Sequence, residues 1–369
     1  MRSRATLQGG DKVRLTADFK ENNLDLLRLV FAVIVVLYHT SGLTGIPGLA
    51  LLGEYCSPHF AVHGFFVISG LLIYRSYTRS TSIRSYLEKR VRRIYPAYFV
   101  VVVGAAALLP LLSPGFPAHT YGGAFWKYIG ANLLFLNFLA PNLPGVFAAN
   151  PTQQAVNGAL WTLKIEVVFY LCVPLIHNLC RRFGAKATIG TIFALSCLWK
   201  VGFWQLAVHD PSRPIWDRLQ VQIPSQMTYF CAGILLLTYF EKLRNHGLII
   251  SVITVCVFLA DHLWGREFLD VFWISGFVLV CGFCRYLGNF VKYGDFSYGV
   301  YIVHWPIIQC LVFFKLTRLN PLIFLFLVLV LVFAASFLMW HLVEKRFLAA
   351  SSHYKHAPVK VSEVVKATD

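Results

Sequence analysis

The feature that most constrains this chain is a series of long apolar segments separated by short polar stretches. Ten of them can be drawn, at about 24–44, 59–78, 97–114, 157–178, 188–207, 223–240, 247–261, 268–286, 294–314 and 319–343. Most reach the roughly 20 residues that an α-helix needs to cross a bilayer, and they lack the apolar–polar alternation of outer-membrane strands. The pattern therefore predicts an all-α integral membrane protein, a bundle of about ten transmembrane helices.

The composition excludes the main soluble classes of protein. Of the 369 residues, 57% are hydrophobic and 14% are charged, and the mean hydropathy is +0.62. A soluble chain would carry about 25% charged residues. A shorter apolar stretch at 125–140 is expected to lie at the surface or to re-enter the membrane. The first 23 residues are polar, with no apolar stretch followed by a cleavage site, so we expect no signal peptide to be removed.

The distribution of lysine and arginine predicts the orientation. With the N-terminus inside, the inner segments hold 24 of the 33 basic residues, the outer loops hold 6, and three lie within helices. Cytoplasmic loops carry such an excess. We therefore expect both termini in the cytoplasm, with a polar tail at 1–23, a single transmembrane domain at 24–346 and a second polar tail at 347–369. The net charge of +16 is then a topology signal, and no nucleic-acid partner is predicted.

The first apolar segment carries two polar groups that share a face. Arg28 and His39 are eleven residues apart, which brings them to within about 20° of each other around the helix and about 16 Å apart along it. Taken singly, Arg28 fits a snorkelling arginine and His39 a helix-packing group. Their common face favours a lined cavity. Asp25 is placed to pair with Arg28.

Two later segments carry further titratable groups. Glu166 lies about 13 Å below the expected outer boundary, where a carboxylate must pair, become protonated or take part in chemistry. A structural pair with Lys164 is the alternative. Offsets of four and seven residues place Ser297, Tyr301 and His304 on one helix face. The alternative there is a polar stripe at a helix interface.

The loop before the third span contains a basic cluster. Arg90 and Arg93 are three residues apart, so they are neighbours on one helix face and offer a guanidinium fork for a phosphate. Topology anchors facing lipid phosphates are the alternative. Glu344 is expected to form a salt-bridged helix end with its basic neighbours. His63 is expected to be an interfacial histidine.

The polar groups fall into two layers. The outer half of the bilayer is expected to contain His39, His63 and Glu166. The inner face is expected to contain Arg28, Arg90 and Arg93. Such an arrangement suits a phosphate-bearing donor that enters from the cytoplasm and is used near the other side. A secondary transporter or channel with an intramembrane proton relay fits the bare pattern too, although the chain shows no inverted repeat.

Six short motifs occur in a fixed order over residues 24–346. They are Arg28-x10-His39, the run 65–73 (FFVISGLLI), Arg90-x-x-Arg93-Ile-Tyr-Pro96, the run 160–170 ending at Tyr170, the run 296–306 (FSYGVYIVHWP), and Val343-Glu344-Lys345. In these motifs the chain resembles the acyltransferase 3 family, membrane proteins that acylate sugars of lipopolysaccharide, peptidoglycan, exopolysaccharide and related glycans. The chain departs from many relatives at His63, where they have aspartate, and at Arg346, where they have proline. The short polar stretch after the last segment leads us to expect no fused hydrolase-like domain.

The resemblance implies an enzyme that moves an acyl group, commonly acetyl, from acyl-CoA to a hydroxyl of an extracytoplasmic or lipid-linked glycan. It implies no metal, and it implies a bacterial inner membrane as the location. On this hypothesis Arg90 and Arg93 bind the phosphates of the acyl-CoA co-substrate. Arg28 then steers the pantetheine arm along the first helix.

The same hypothesis assigns four candidate catalytic residues. His39 acts as the general base on the acceptor hydroxyl, or carries the acyl group transiently. Glu166 orients His39 and stabilises its imidazolium. Tyr301 or His304 donates a hydrogen bond to the thioester oxyanion.

Overall fold

The computed structural model describes residues 19, 21–113, 122–264 and 269–349, and within these ranges the chain is all-helical, with no β-strand. The α-helices are α1 (Leu24–Thr44), α2 (Ala50–Tyr55), α3 (Pro58–Thr78), α4 (Ile83–Leu108), α5 (Gly123–Leu133), α6 (Trp161–Phe183), α7 (Ala185–His209), α8 (Ile215–Gln220), α9 (Ile223–Thr238), α10 (Phe240–Arg244), α11 (Gly247–Trp264), α12 (Asp270–Phe283), α13 (Ser297–Phe313), α14 (Pro321–Met339) and α15 (Lys345–Phe347).

Each of the ten predicted segments coincides with a helix, but the helices differ in length. Among the described residues, six helical stretches are long and apolar enough to cross a membrane: Leu24–Thr44, Pro47–Thr78, Ile83–Leu112, Gly158–Phe183, Ala185–His209 and Pro321–Phe347. Helices α9, α12 and α13 have only 16, 14 and 17 residues. The chain is therefore a multi-pass membrane protein, while ten spans and cytoplasmic termini remain predictions. The two polar tails lie almost wholly outside the described residues.

Helix α4 starts much earlier than the apolar pattern indicates. Its N-cap is Ser82, whose side chain accepts a hydrogen bond from the backbone N–H of Ser85. The basic cluster therefore forms the first turns of a 26-residue helix rather than a loop. Pro96 lies inside this helix.

Helix α13 is the centre of the bundle. Thirteen of its 17 residues are buried, including polar ones, whereas α14 buries only a stripe at every fourth position, Phe324, Val328, Val332 and Ser336. A helix enclosed by other helices can present polar side chains inward, and a peripheral helix buries one face and leaves the other to lipid. Helix α13 consequently contributes several of the interior polar groups of this protein.

Helices α3 and α9 approach each other backbone to backbone. A Cβ atom at Gly70 would overlap the carbonyl oxygen of Phe230, and one at Gly233 would overlap the carbonyl oxygen of Val67. Small residues permit such close approach between membrane helices. Helix α3 also contacts α1, α6 and α12.

The connection from α5 to α6 is attached to α13 by side-chain hydrogen bonds. Helix α5 has 11 residues, too few to cross a bilayer. Asn150 Nδ2 donates to Gln309 Oε1 at 2.8 Å, and Gln309 Nε2 and Trp305 Nε1 both donate to the carbonyl of Ala155 at 3.0 Å. These bonds hold residues 141–160 over one end of α13.

Candidate active site

Helices α1 and α13 bring two predicted site residues into direct contact. Nδ1 of His39 lies 2.9 Å from Nε2 of His304, and the two rings are stacked with an interplanar angle of 7°. His304 is completely buried, whereas His39 is half-buried and packs its ring against the edge of Trp305. The pair therefore joins the half-buried imidazole of His39 to the fully buried imidazole of His304.

The hydrogen-bond network assigns the ring protons of this pair. Nδ1 of His304 lies 3.3 Å from the carbonyl oxygen of Val300, so that nitrogen carries a proton and Nε2 is left as an acceptor. His39 must then donate from Nδ1 to His304. Nε2 of His39 is consequently the unprotonated nitrogen, as a general base requires.

The residue that contacts His39 is not the predicted one. Glu166 was expected to orient this histidine, but its carboxylate accepts a hydrogen bond from the Tyr170 hydroxyl at 2.6 Å, and the position beside His39 belongs to His304. The spacing within one helix could not show which helix packs against α1 at His39. The alternative of a pair between Glu166 and Lys164 is not formed in the described residues, because Lys164 donates to Gln222 at 3.2 Å.

A buried ion cluster joins four parts of the chain. Arg28 donates to Asp295 at 2.9 Å, Arg93 also bonds Asp295, and Arg93 donates to Glu344 at 2.8 Å. Asp25 lies 3.7 Å from Arg28, as its position in the sequence predicts. Two guanidiniums and two carboxylates thus neutralise each other inside the protein, which buried charges require.

Local structure explains how the two carboxylates reach this cluster. Asp295 precedes α13 and accepts hydrogen bonds from the backbone N–H and the hydroxyl of Ser297, at 3.2 and 2.6 Å. Glu344 ends a π-helical turn, Trp340–Glu344, that directs its side chain inward. Glu344 is only 2% exposed, so the expected solvent-side salt bridge with Lys345 and Arg346 is wrong: its partner is Arg93.

Arg90 and Arg93 turn to different partners, so they do not form the expected fork. Arg93 is buried among carboxylates. Arg90 is half-buried, donates from Nη2 to the Ser76 hydroxyl at 3.3 Å and lies over the ring of Tyr170. Its Nε has no hydrogen-bond partner in the described part of the chain. Of the two guanidiniums, Arg90 is the one with a donor to spare.

A cavity of about 490 Å³, partly open to the outside, lies between α1, α3, α6 and α13. Its polar walls come from Arg28, Ser69, Thr162, Glu166, Ser297 and Tyr301, and its apolar walls from Val62, Phe65, Phe66 and Leu163. Ser69 also faces this space. Tyr301 connects the cavity to the histidine pair, because its ring centroid lies 6.0 Å from that of His304.

A second buried network was missed from the sequence. Lys200 donates to both carboxylate oxygens of Asp270 at 2.8 Å and to the Tyr229 hydroxyl at 2.6 Å. His63 stacks on Tyr229 at 3.8 Å and lies 3.5 Å from Asp270. The expectation of an interfacial His63 is therefore wrong, since it is 6% exposed. A lysine inside an apolar segment was the available signal, and it needed a carboxylate partner.

The chain is similar in sequence to several known proteins. The family model described as an acyltransferase domain matches residues 21–341 of the chain. An O-acetyl transferase of Shigella phage Sf6 is 27% identical over 347 residues, 90% of this chain and 98% of the relative. Nodulation protein 10 of Rhizobium leguminosarum bv. viciae is 28% identical over 327 residues, 79% of this chain and 84% of the relative.

A more distant likeness covers part of the chain. An O-acetyltransferase of Staphylococcus aureus is 27% identical over 194 residues, 47% of this chain and 28% of that protein. No solved structure is significantly similar to the chain.

Proposed function

We propose, because this chain belongs to the acyltransferase 3 family, that it transfers an acyl group, commonly acetyl, from acyl-CoA to a hydroxyl of a glycan at the outer side of the membrane. The protein is a membrane acyltransferase that transfers acyl groups other than aminoacyl groups. The observation that carries the proposal is the His39–His304 pair, which leaves Nε2 of His39 unprotonated. Tyr301, whose ring lies 6.0 Å from that of His304, lines the neighbouring polar cavity.

The transfer step follows from that geometry. Nε2 of His39 takes the proton of the acceptor hydroxyl while the hydroxyl oxygen bonds to the thioester carbonyl carbon. The carbon–sulfur bond then breaks, and the thiolate of coenzyme A takes the proton back from the imidazolium. His304 accepts from Nδ1 of His39 throughout and so holds the ring in one tautomer, the role that a carboxylate plays in a catalytic triad.

Two further candidate residues act on the donor within the cavity. Tyr301 lines the cavity next to His304, and its phenolic O–H donates a hydrogen bond to the oxygen of the tetrahedral intermediate. Glu166 is held by Tyr170 and faces the same space, where it accepts a hydrogen bond from an amide N–H of the pantetheine arm. Its earlier assignment as the support of His39 passes to His304.

On this proposal Arg90, which belongs to α4, binds the phosphates of the donor. The Nε of Arg90 has no hydrogen-bond partner among the described residues. The Arg90 guanidinium lies over the ring of Tyr170, and the Tyr170 hydroxyl donates a hydrogen bond to Glu166, which lines the cavity. A guanidinium binds phosphate through such free donors. Arg93 supports this site from the ion cluster, and Arg28 lines the cavity where the pantetheine arm passes.

The same proposal includes the orientation and location of the enzyme. Ten spans with both termini in the cytoplasm put Arg90 inside and His39 in the outer half of the bilayer. A bacterial inner membrane then supplies acyl-CoA on one side and a lipid-linked or surface glycan on the other. No finding supports the alternative of a secondary transporter.

The test uses the purified protein in lipid nanodiscs with acetyl-CoA and the glycolipid fraction of the host membrane. Mass spectrometry is expected to find an added acetyl mass on the glycan, and His39→Ala is expected to abolish it. His209→Ala is the matched control, because His209 is an exposed histidine at the end of α7. An inserted His39→Ala protein that still acetylates the glycan would refute the proposal.

A further inference from the structure

Two hydroxyl groups meet in the wall of the cavity next to the histidine pair. The Tyr301 hydroxyl lies 2.7 Å from Oγ1 of Thr162, which belongs to the first turn of α6. Both side chains are buried, and both line the cavity. The proposed mechanism uses Tyr301 and gives Thr162 no role, although the distance is that of a strong O–H···O hydrogen bond.

Both hydroxyls also share one backbone acceptor. The carbonyl oxygen of Ala159 lies 3.3 Å from Oγ1 of Thr162 and 3.3 Å from the Tyr301 hydroxyl. Each hydroxyl has one proton to donate and can accept as well. Two arrangements satisfy the pair: Tyr301 donates to Thr162 while Thr162 donates to Ala159, or Thr162 donates to Tyr301 and leaves the phenolic proton for another acceptor.

We propose that Thr162 is a positioning residue for the Tyr301 hydroxyl, an inference that rests on the proposed acyl transfer. By donating a hydrogen bond to the phenolic oxygen, Thr162 leaves the phenolic O–H able to donate to the thioester oxygen. In the resting site Tyr301 donates to Thr162. When the oxyanion forms, the Thr162 hydroxyl rotates from Ala159 to the phenolic oxygen, and Tyr301 donates to the oxyanion. No proton leaves its own oxygen, and the number of hydrogen bonds made by the two hydroxyls is unchanged.

The rotation strengthens the donor at the moment when charge develops. A hydroxyl that accepts one hydrogen bond becomes a better donor of the next, because hydrogen bonds in a chain polarise one another. Thr162 and Tyr301 are both buried, so the effect acts in a medium of low dielectric constant. The side chain at position 162 must therefore be able both to donate and to accept, which serine can do and valine cannot.

The experiment compares Thr162→Val, Thr162→Ser and Tyr301→Phe in the nanodisc assay with acetyl-CoA. We expect Tyr301→Phe to lower kcat about 100-fold and Thr162→Val about tenfold, with KM for acetyl-CoA changed less than about twofold. Thr162→Ser is expected to recover kcat to within about threefold. Thr191→Val, at an exposed threonine of α7, is the matched control and is expected to change neither constant.

The double variant separates positioning from a structural role. If Thr162 acts only through the phenolic proton, Thr162→Val costs nothing further in a Tyr301→Phe background. A full additional tenfold loss in that background, or a Thr162→Ser protein as slow as Thr162→Val, overturns the inference while leaving acyl transfer intact. A wild-type protein that consumes no acetyl-CoA overturns the proposed function instead.

Discussion

His304 lies behind His39 in the position that a carboxylate occupies in a catalytic triad: the two ring nitrogens are 2.9 Å apart and the rings are nearly parallel. A neutral imidazole accepts a hydrogen bond without adding a second buried charge. In the apolar interior of a membrane protein this orients the base at a lower desolvation cost than a carboxylate would incur.

Removing the ring of His304 is expected to impair catalysis and leave donor binding intact. His304→Ala should lower kcat about 100-fold, because His39 loses the acceptor that fixes its tautomer. His304→Gln keeps an acceptor oxygen and should recover about tenfold of that loss. KM for acetyl-CoA and kcat are measured in nanodiscs, with His262→Ala, at an exposed histidine, as the control. Equal losses in the alanine and glutamine variants would count against the orienting role.

Neutralising Asp295 is expected to destabilise the protein. Asp295→Asn leaves the half-buried Arg28 and the buried Arg93 without their shared counter-charge, at a cost of about 3 kcal/mol. The melting temperature in detergent should fall by several degrees. Asp217→Asn, at an exposed aspartate of α8, makes the same chemical change and should have no effect. Similar melting temperatures for the two variants would show that the cluster contributes little.

The two arginines of the α4 motif should give different phenotypes. Arg90→Ala is expected to raise KM for acetyl-CoA by about 10-fold or more with kcat nearly constant, since a charge-assisted contact to phosphate is lost. Arg93→Ala should mainly reduce the yield of folded protein, because Glu344 is left buried and unpaired. Arg92→Ala is the control, as Arg92 is exposed and pairs with Glu88 on the surface. An unchanged KM in Arg90→Ala excludes the phosphate contact.

The close approach of α3 and α9 predicts a strong effect of one methyl group. Gly233→Ala forces a Cβ into the carbonyl of Val67 and should destabilise the bundle by about 3 kcal/mol. Gly202→Ala on α7, where a Cβ meets no other atom, should be neutral or slightly stabilising. Melting curves of both proteins decide the matter. A Gly233→Ala protein as stable as wild type would mean that the helices separate easily.

The buried pair of Lys200 and Asp270 should be coupled. Lys200→Met alone is expected to cost about 3 kcal/mol, because Asp270 keeps its charge without its main partner. Adding Asp270→Asn removes that charge and should restore part of the stability, giving a non-additive cycle. Lys186→Met, at an exposed lysine at the start of α7, is the matched control. Additive effects in thermal melts would contradict a direct interaction.

The sequence predicts the helices well because their signal is local. A run of about 20 apolar residues has few alternatives to a membrane helix, since each backbone polar group must be satisfied within the segment. The start of α4 was misplaced because its first turns are rich in arginine and carry no apolar signal. The pairing of Arg28 with Asp25 followed from spacing within one helix.

The sequence predicted candidate residues for the site but not the contacts between them. Periodicity placed Arg28 and His39 on one face of α1, and Tyr301 and His304 on one face of α13, and these faces do meet. Periodicity says nothing about which helix packs against which. Whether Glu166 or His304 lies beside His39 therefore depends on helix packing alone.

What the sequence by itself determined is the class of protein, the helical segments and the family, because apolar length and ordered motifs are read along the chain. Only the tertiary structure decided that Glu344 turns inward to Arg93, that Lys200 meets Asp270, and that Tyr301 meets Thr162. Each of these pairs joins residues far apart in sequence. Their formation depends on the rotation and crossing of whole helices, which side-chain packing across the bundle fixes.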